Sequence, residues 1–193
     1  MLWPPSAPRW VTGGREARGA PDSVAPDFPG ETELVRPGVR LGIDVGKARV
    51  GVARSDLHGI LATPVETVAR QTAGSADVDR ILTIAREYDT VEFIVGLPLS
   101  MSGGSTASTD DALAFALRLA TAVDRDVRMI DERLTTVSAQ AALHRSGRNT
   151  KNSRSVIDQV AAVILLQHAL DVERTSGNPP GQLVDPNQGL HRD

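Results

Sequence analysis

A carboxylate in the middle of an otherwise apolar strand constrains this chain more than any other feature. Residues 39–45 read Val-Arg-Leu-Gly-Ile-Asp-Val. In a β-strand successive side chains alternate between the two faces. Val39, Leu41, Ile43 and Val45 therefore share one face, and Gly42, Asp44 and Gly46 share the other. The next segment repeats the pattern, with Val50 and Val52 opposite Gly51, Ala53 and Ser55. Two such strands joined near Gly46-Lys47 make a hairpin, in which Asp44 stands on a floor of very small residues. A mid-strand carboxylate is costly to desolvate unless something pairs with it. On this reading the floor leaves room for a large charged ligand or a metal.

The 193 residues suffice for one medium domain with a real core. The net charge of −3 gives no global basic field, so a nucleic-acid partner needs a local patch. With no cysteine there are no disulfides, thiolate metal sites or cysteine nucleophiles, which is compatible with a reducing cytoplasm. The histidines (His58, His144, His168, His191) show no metal-ligand spacing. A bound metal would then take mostly oxygen ligands, which favours Mg²⁺ or Mn²⁺. No run approaches the length of a membrane span, and the proline-broken start MLWPPSAPRW lacks the apolar core of a signal peptide.

Residues 1–37, rich in Pro, Gly and charge, read as a disordered extension, and residues 175–193 read as a disordered tail. Between them, 38–174 reads as one domain. Residues 60–69 suit a third strand, with Pro64 at an edge or bulge. Residues 76–88 suit an amphipathic helix, and 91–95 a short central strand ended by Gly96-Leu97-Pro98. A helix over 109–123, a strand over 127–131, a helix over 135–145 and a long helix over 153–174 follow. On the last helix Val156, Val160, Ala161, Val163 and Ile164 are the expected core contacts. The order β-β-β-α-β-α-β-α-α gives an α/β fold, a mixed five-stranded sheet flanked by helices.

Such sheets gather functional residues at strand ends. Asp44, Glu132 just past the last strand, and Asp158 early in the last helix are the acids that could meet there. Converging carboxylates repel and raise each other's pKa unless a divalent cation neutralises them. An oxygen-ligand site of that kind suits metal-assisted phosphodiester hydrolysis. Each acid also has a plainer reading. Asp158 completes an S-x-x-D capping box with Ser155, and Glu132 could pair with Arg133 or cap the next helix. Asp56 reads as a turn residue and Asp131 as structural. From Leu134 to Ile157 there is no acid, while Arg145, Arg148, Lys151 and Arg154 occur, with Arg133 just before. A basic loop beside an acidic pocket suits a nucleic-acid backbone; the plainer alternative is a solvated surface loop. Aromatic residues are scarce, so base stacking on them is not expected to dominate.

Four segments, LGIDVGKARVGVARSD at 41–56, IVGLPLSMSGG at 94–104, DERLTT at 131–136 and KNSRSVIDQVAAVILLQ at 151–167, jointly resemble the YqgF family. These are the Holliday-junction-resolvase-like proteins of the ribonuclease H-like superfamily. The resemblance covers almost the whole domain. It implies a ribonuclease H-like fold, with acidic site residues at Asp44, Glu132 and Asp158. It further implies a nuclease linked to maturing the 5′ end of the small-subunit ribosomal RNA precursor, with junction resolution as an earlier proposal for the family. Where junction-cutting cousins carry an acid at the end of the central strand, this chain has Gly96-Leu97-Pro98, and Glu132 from another strand stands in.

The leading expectation is a metal-dependent nuclease on structured RNA, with Mg²⁺ or Mn²⁺ on Asp44, Glu132 and Asp158 and phosphates on Arg133, Arg145, Arg148, Lys151 and Arg154. The rival is a resolvase of branched DNA, which needs two sites in a symmetric dimer; monomer and homodimer both stay open. A nucleotide-binding protein of the actin and sugar-kinase type would need a second D-x-G hairpin that the chain lacks. A non-catalytic RNA-binding module is the remaining alternative.

Overall fold

Strand pairing begins where the alternation does. β1 (Val39–Val45) and β2 (Arg49–Ser55) form the expected hairpin, closed by Gly46 N–H donating to the Arg49 carbonyl at 2.9 Å. This computed structural model describes residues 35–134, 154–187 and 189–190, with only the backbone of Leu134 and of 154–157. β3 (Ala62–Ala69) pairs antiparallel with β2, and the register shifts beside Pro64. Helix α1 (Ala76–Glu87) leads to β4 (Thr90–Leu97), which runs parallel to β1. Helix α2 (Ala107–Ala122) opens on a capping box, Thr106 and Thr109 each bonding the other's backbone N–H, and leads to β5 (Asp126–Asp131), parallel to β4. A 3-10 turn (Glu132–Leu134) follows, and helix α3 spans Arg154–Ser176.

The sheet order is β3-β2-β1-β4-β5-β6-β7. It is a mixed sheet with helices on both faces, as expected of an α/β fold. It has two strands more than expected. β6 (Gln182–Asp185) pairs antiparallel with β5, and β7 (Gly189–Leu190) folds back on β6. The tail expected to be disordered over 175–193 thus carries strands at Gln182–Asp185 and Gly189–Leu190. Pro179, Pro180 and Gly181 read as disorder by composition, but they turn the chain after α3. The strand itself offers only one buried side chain, Val184, too little to register as alternation. The start moves too. Val35 is 5 % exposed and Arg36 makes buried-end ion pairs, so the fold begins by Val35 and not at 38.

One core cluster lies between the sheet and α1/α2, built on Leu41, Ile43, Val50, Val52, Phe93 and Val95. The other lies under α3, built on Ile94 and Ile130 with Ala162, Leu165, Leu166, Ala169 and Leu170. Each fully buried leucine contributes about 1.5–3 kcal/mol. Of the expected core contacts on α3, Val163 packs partly against this cluster, Val160, Ala161 and Ile164 are only partly buried, and the side chain of Val156 lies outside the described residues. The helix is apolar nearly all round, so its own periodicity does not select a side. The sheet selects it: a Cβ on Gly42 would lie 2.6 Å from Leu166 Cβ, and one on Gly51 would lie 2.0 Å from the Asp158 carbonyl oxygen. The small-residue floor is thus the seat of α3. It is not open space for a large ligand, as the alternation alone suggests.

Candidate active site

That seat also builds the site. Asp44 pairs with Gly51 across the hairpin. Ile43 pairs with Val95 on the other side, so one residue further along, Asp44 lies beside Gly96. The result is a row across three strands, Gly51–Asp44–Gly96, with a glycine on each side of the carboxylate. Over Gly51 sits the backbone of Asp158. Over Gly96 sits the carboxylate of Glu132: a Cβ there would lie 1.9 Å from Glu132 Oε1. The two glycines admit the two other acids to the flanks of Asp44.

The electrostatics follow. Burial pushes the Asp44 carboxyl up to about 6, with the charge of Asp158 adding to it. Burial likewise pushes Glu132 up to about 7, with help from Asp44 and then Asp131. Asp44 is thus coupled to an acid on each side. No hydrogen-bond donor reaches it among the described residues. The three acids do not close into one cluster, however: among the described residues no group of three ligating side chains could hold an ion as they lie. Asp158 is engaged elsewhere, by Arg49, whose Nε donates to Asp158 Oδ2 at 2.6 Å. Arg49, on β2 just past the hairpin turn, is a residue that sequence reasoning passed over. Its place opposite the start of α3 is set by the sheet and has no local signature.

The remaining expectations divide. Asp131 is structural: it receives Arg133 Nη2 at 2.6 Å and Nε at 3.0 Å, and Arg133 beside it holds its carboxyl below the usual range. Arg133 is thus engaged by Asp131. Asp158 bonds Arg49, and α3 already runs from Arg154 ahead of Ser155, so the capping-box reading does not hold. Asp56 is a turn residue, accepting from Ile60 N–H at 2.7 Å. Arg133 is exposed at the rim. Arg145, Arg148 and Lys151 lie outside the described residues, as do the helix expected over 135–145 and the side chain of Arg154.

Two consequences can be measured. Ionising Asp44 and Glu132 costs the folded chain, because both carboxyls ionise higher when folded than when unfolded. Their contribution to stability is full below about pH 4 and is lost as pH rises through about 6 and 7. Asp44→Asn and Glu132→Gln therefore each raise thermal stability at pH 8 without divalent cation, by about 1–2 kcal/mol after allowing for partial solvent exposure. The gain vanishes at pH 4. Thermal melts at the two pH values check this. Separately, Gly96→Ala drives a methyl into the place of Glu132 Oε1 and displaces that carboxylate while β4 keeps its pairing. The expected result is a folded protein that has lost the upward shift of Glu132, read by carboxyl-resolved NMR titration.

Residues 38–172 match the RuvX family, described as Holliday junction resolvase. A protein of Clavibacter michiganensis subsp. michiganensis named "Putative pre-16S rRNA nuclease" is 63 % identical over 154 residues, 80 % of this chain and 96 % of that one. One of the same name from Streptomyces coelicolor is 48 % identical over 152 residues, covering 78 % and 90 %. Among solved structures, Thermus thermophilus RuvC in complex with a Holliday junction substrate aligns at 18 % identity with a TM-score of 0.48, over 74 % of this chain and 98 % of that one.

Proposed function

The chain belongs to the RuvX family, and on that premise we propose that it is a metal-dependent nuclease that hydrolyses phosphodiester bonds in the precursor of 16S ribosomal RNA. The observation that carries this reading is the Gly51–Asp44–Gly96 row, which sets acids on both flanks of a half-buried carboxylate. Two carboxyls raised by burial and by the charge of neighbouring acids, with oxygen donors only, fit a hard divalent cation. Asp44 and Glu132 would hold Mg²⁺ or Mn²⁺, and Asp158 would join them when it leaves Arg49. A cation so bound supplies an activated water and stabilises charge on the leaving oxygen. The chain's own part is to keep the carboxylates poised and apart from solvent. Arg49, released from Asp158, is placed to meet a substrate phosphate, and Arg133, held by Asp131, marks the rim. The names of close relatives support ribosomal RNA as the substrate.

The test is cleavage of a 16S precursor RNA with Mg²⁺ or Mn²⁺, beside a four-way DNA junction at equal salt. Cleavage of the RNA alone is expected. Because the ligands must shed protons to bind metal, apparent metal affinity falls about tenfold per pH unit between 7 and 6, and more steeply below 6. A metal affinity flat from pH 5 to 8 would sink the carboxylate assignment. The family description favours a second reading, resolution of branched DNA. Preferential, paired nicking of the junction by a two-fold dimer would establish that reading instead.

A further inference from the structure

Beside the carboxylates, a cavity of about 430 Å³ opens along the free edge of β5. β6 pairs with β5 only at Arg128 and Met129, so the strand edge beyond them borders this space. Leu97, Leu99 and Met129 give it apolar walls, and Asp131 and Arg133 stand in its lining on either side of Glu132 in sequence. His168, on the inner part of α3, lines it as well, and His168 Nε2 is shut off from solvent with no hydrogen-bond partner. Buried polar atoms without partners are rare and call for an explanation. The Arg133 guanidinium is pinned by Asp131 at 2.6 and 3.0 Å, which fixes the orientation of its plane.

We propose that this cavity receives an unstacked nucleobase of the RNA, next to the phosphate held at the carboxylates. The inference rests on the nuclease reading and adds a recognition subsite to it. The size suits a nucleoside-sized group. The chemistry suits a base: apolar walls take its faces, and a flat guanidinium offers the stacking plane that single-stranded RNA uses where aromatic side chains are absent. A turn of the His168 imidazole towards the cavity would bring its unpartnered Nε2 to the base edge. That contact makes the pocket selective among bases, since a base that leaves the imidazole unpaired is disfavoured.

The test uses the full-length Asp44→Asn chain, so that RNA is bound without being cut, and short single-stranded RNAs carrying 2-aminopurine at successive positions. One position is expected to change in fluorescence on binding, and the four natural bases at that position are expected to differ in affinity. His168→Leu and Leu99→Trp, added separately, each weaken binding about tenfold, the size of one lost hydrogen bond or one filled pocket, and flatten the base ranking. Thermal melts identify a variant that has not folded, and the other then carries the comparison. Unchanged affinity and unchanged base ranking in a folded variant overturn the pocket. A wild-type chain that never cuts RNA, yet binds it with a ranking that these variants lose, overturns the nuclease reading and leaves the pocket standing.

Discussion

Asp44→Asn is expected to lower metal-dependent RNA cleavage by at least about 100-fold, beyond the usual effect of removing a residue that only supports a metal ligand. The substitution keeps the size of the side chain and removes its charge. It leaves the cross-strand pairing with Gly51 intact, since that pairing is made by backbone. The folded chain gains stability at alkaline pH from the same change, because a half-buried charge that repels Asp158 and Glu132 is gone. Loss of activity together with gain of stability is the signature of a site held against its own electrostatics. A side chain needed for folding would lose both. Cleavage at the wild-type rate by Asp44→Asn would remove the mechanism.

Glu92→Ala is expected to cost about 3–5 kcal/mol, the loss typical of breaking a buried ion pair from one side. Glu92 is 1 % exposed and serves three arginines: Arg40 Nε at 2.9 Å, Arg36 Nη2 at 2.9 Å and Arg128 Nε at 3.0 Å. Arg40, also 1 % exposed, would keep Glu173 at 3.1 Å as its carboxylate partner, beside the Gly38 carbonyl at 3.3 Å. The midpoint of thermal unfolding falls by roughly 10 °C. Glu92→Gln, which still accepts hydrogen bonds, falls by less. Arg40 and Asp44 stand four residues apart on β1, about 13 Å. The two substitutions therefore add in stability, and Glu92→Ala leaves the metal dependence of cleavage unchanged at temperatures where it is folded. Urea unfolding of the single and double variants checks both statements.

The site was legible in part because its residues carry local signals. A charge amid alternating apolar and glycine residues marks Asp44, and an acid just past a strand marks Glu132. Arg49 carries no such signal, being one of many arginines until the sheet sets it against α3. The charge network was equally hidden. Arg40 sits at an alternation position that would suit a solvent-facing side chain, and its partners Glu92 and Glu173 are 52 and 133 residues away. Burial of so many ionisable groups is a property of the packed ends of β1, β4, β5 and α3, and no short window of sequence contains it. β6 was missed for a related reason: a four-residue strand is held by pairing to β5 and by Val184 in the core, not by its own pattern.

The glycines draw the line between the two levels. Periodicity alone puts Gly42, Asp44 and Gly46 on one face, surrounds the carboxylate with small residues, and orders the strands and helices as an α/β sheet. These follow from the two-residue period of a strand and the longer period of a helix, which are local. What the small residues are for emerges from long-range packing. Gly42 and Gly51 admit the backbone of α3, and Gly96 admits the Glu132 carboxylate. What a missing side chain makes room for depends on which distant element arrives there. Packing of the whole chain decides that, and it gives Asp44 its two acidic neighbours.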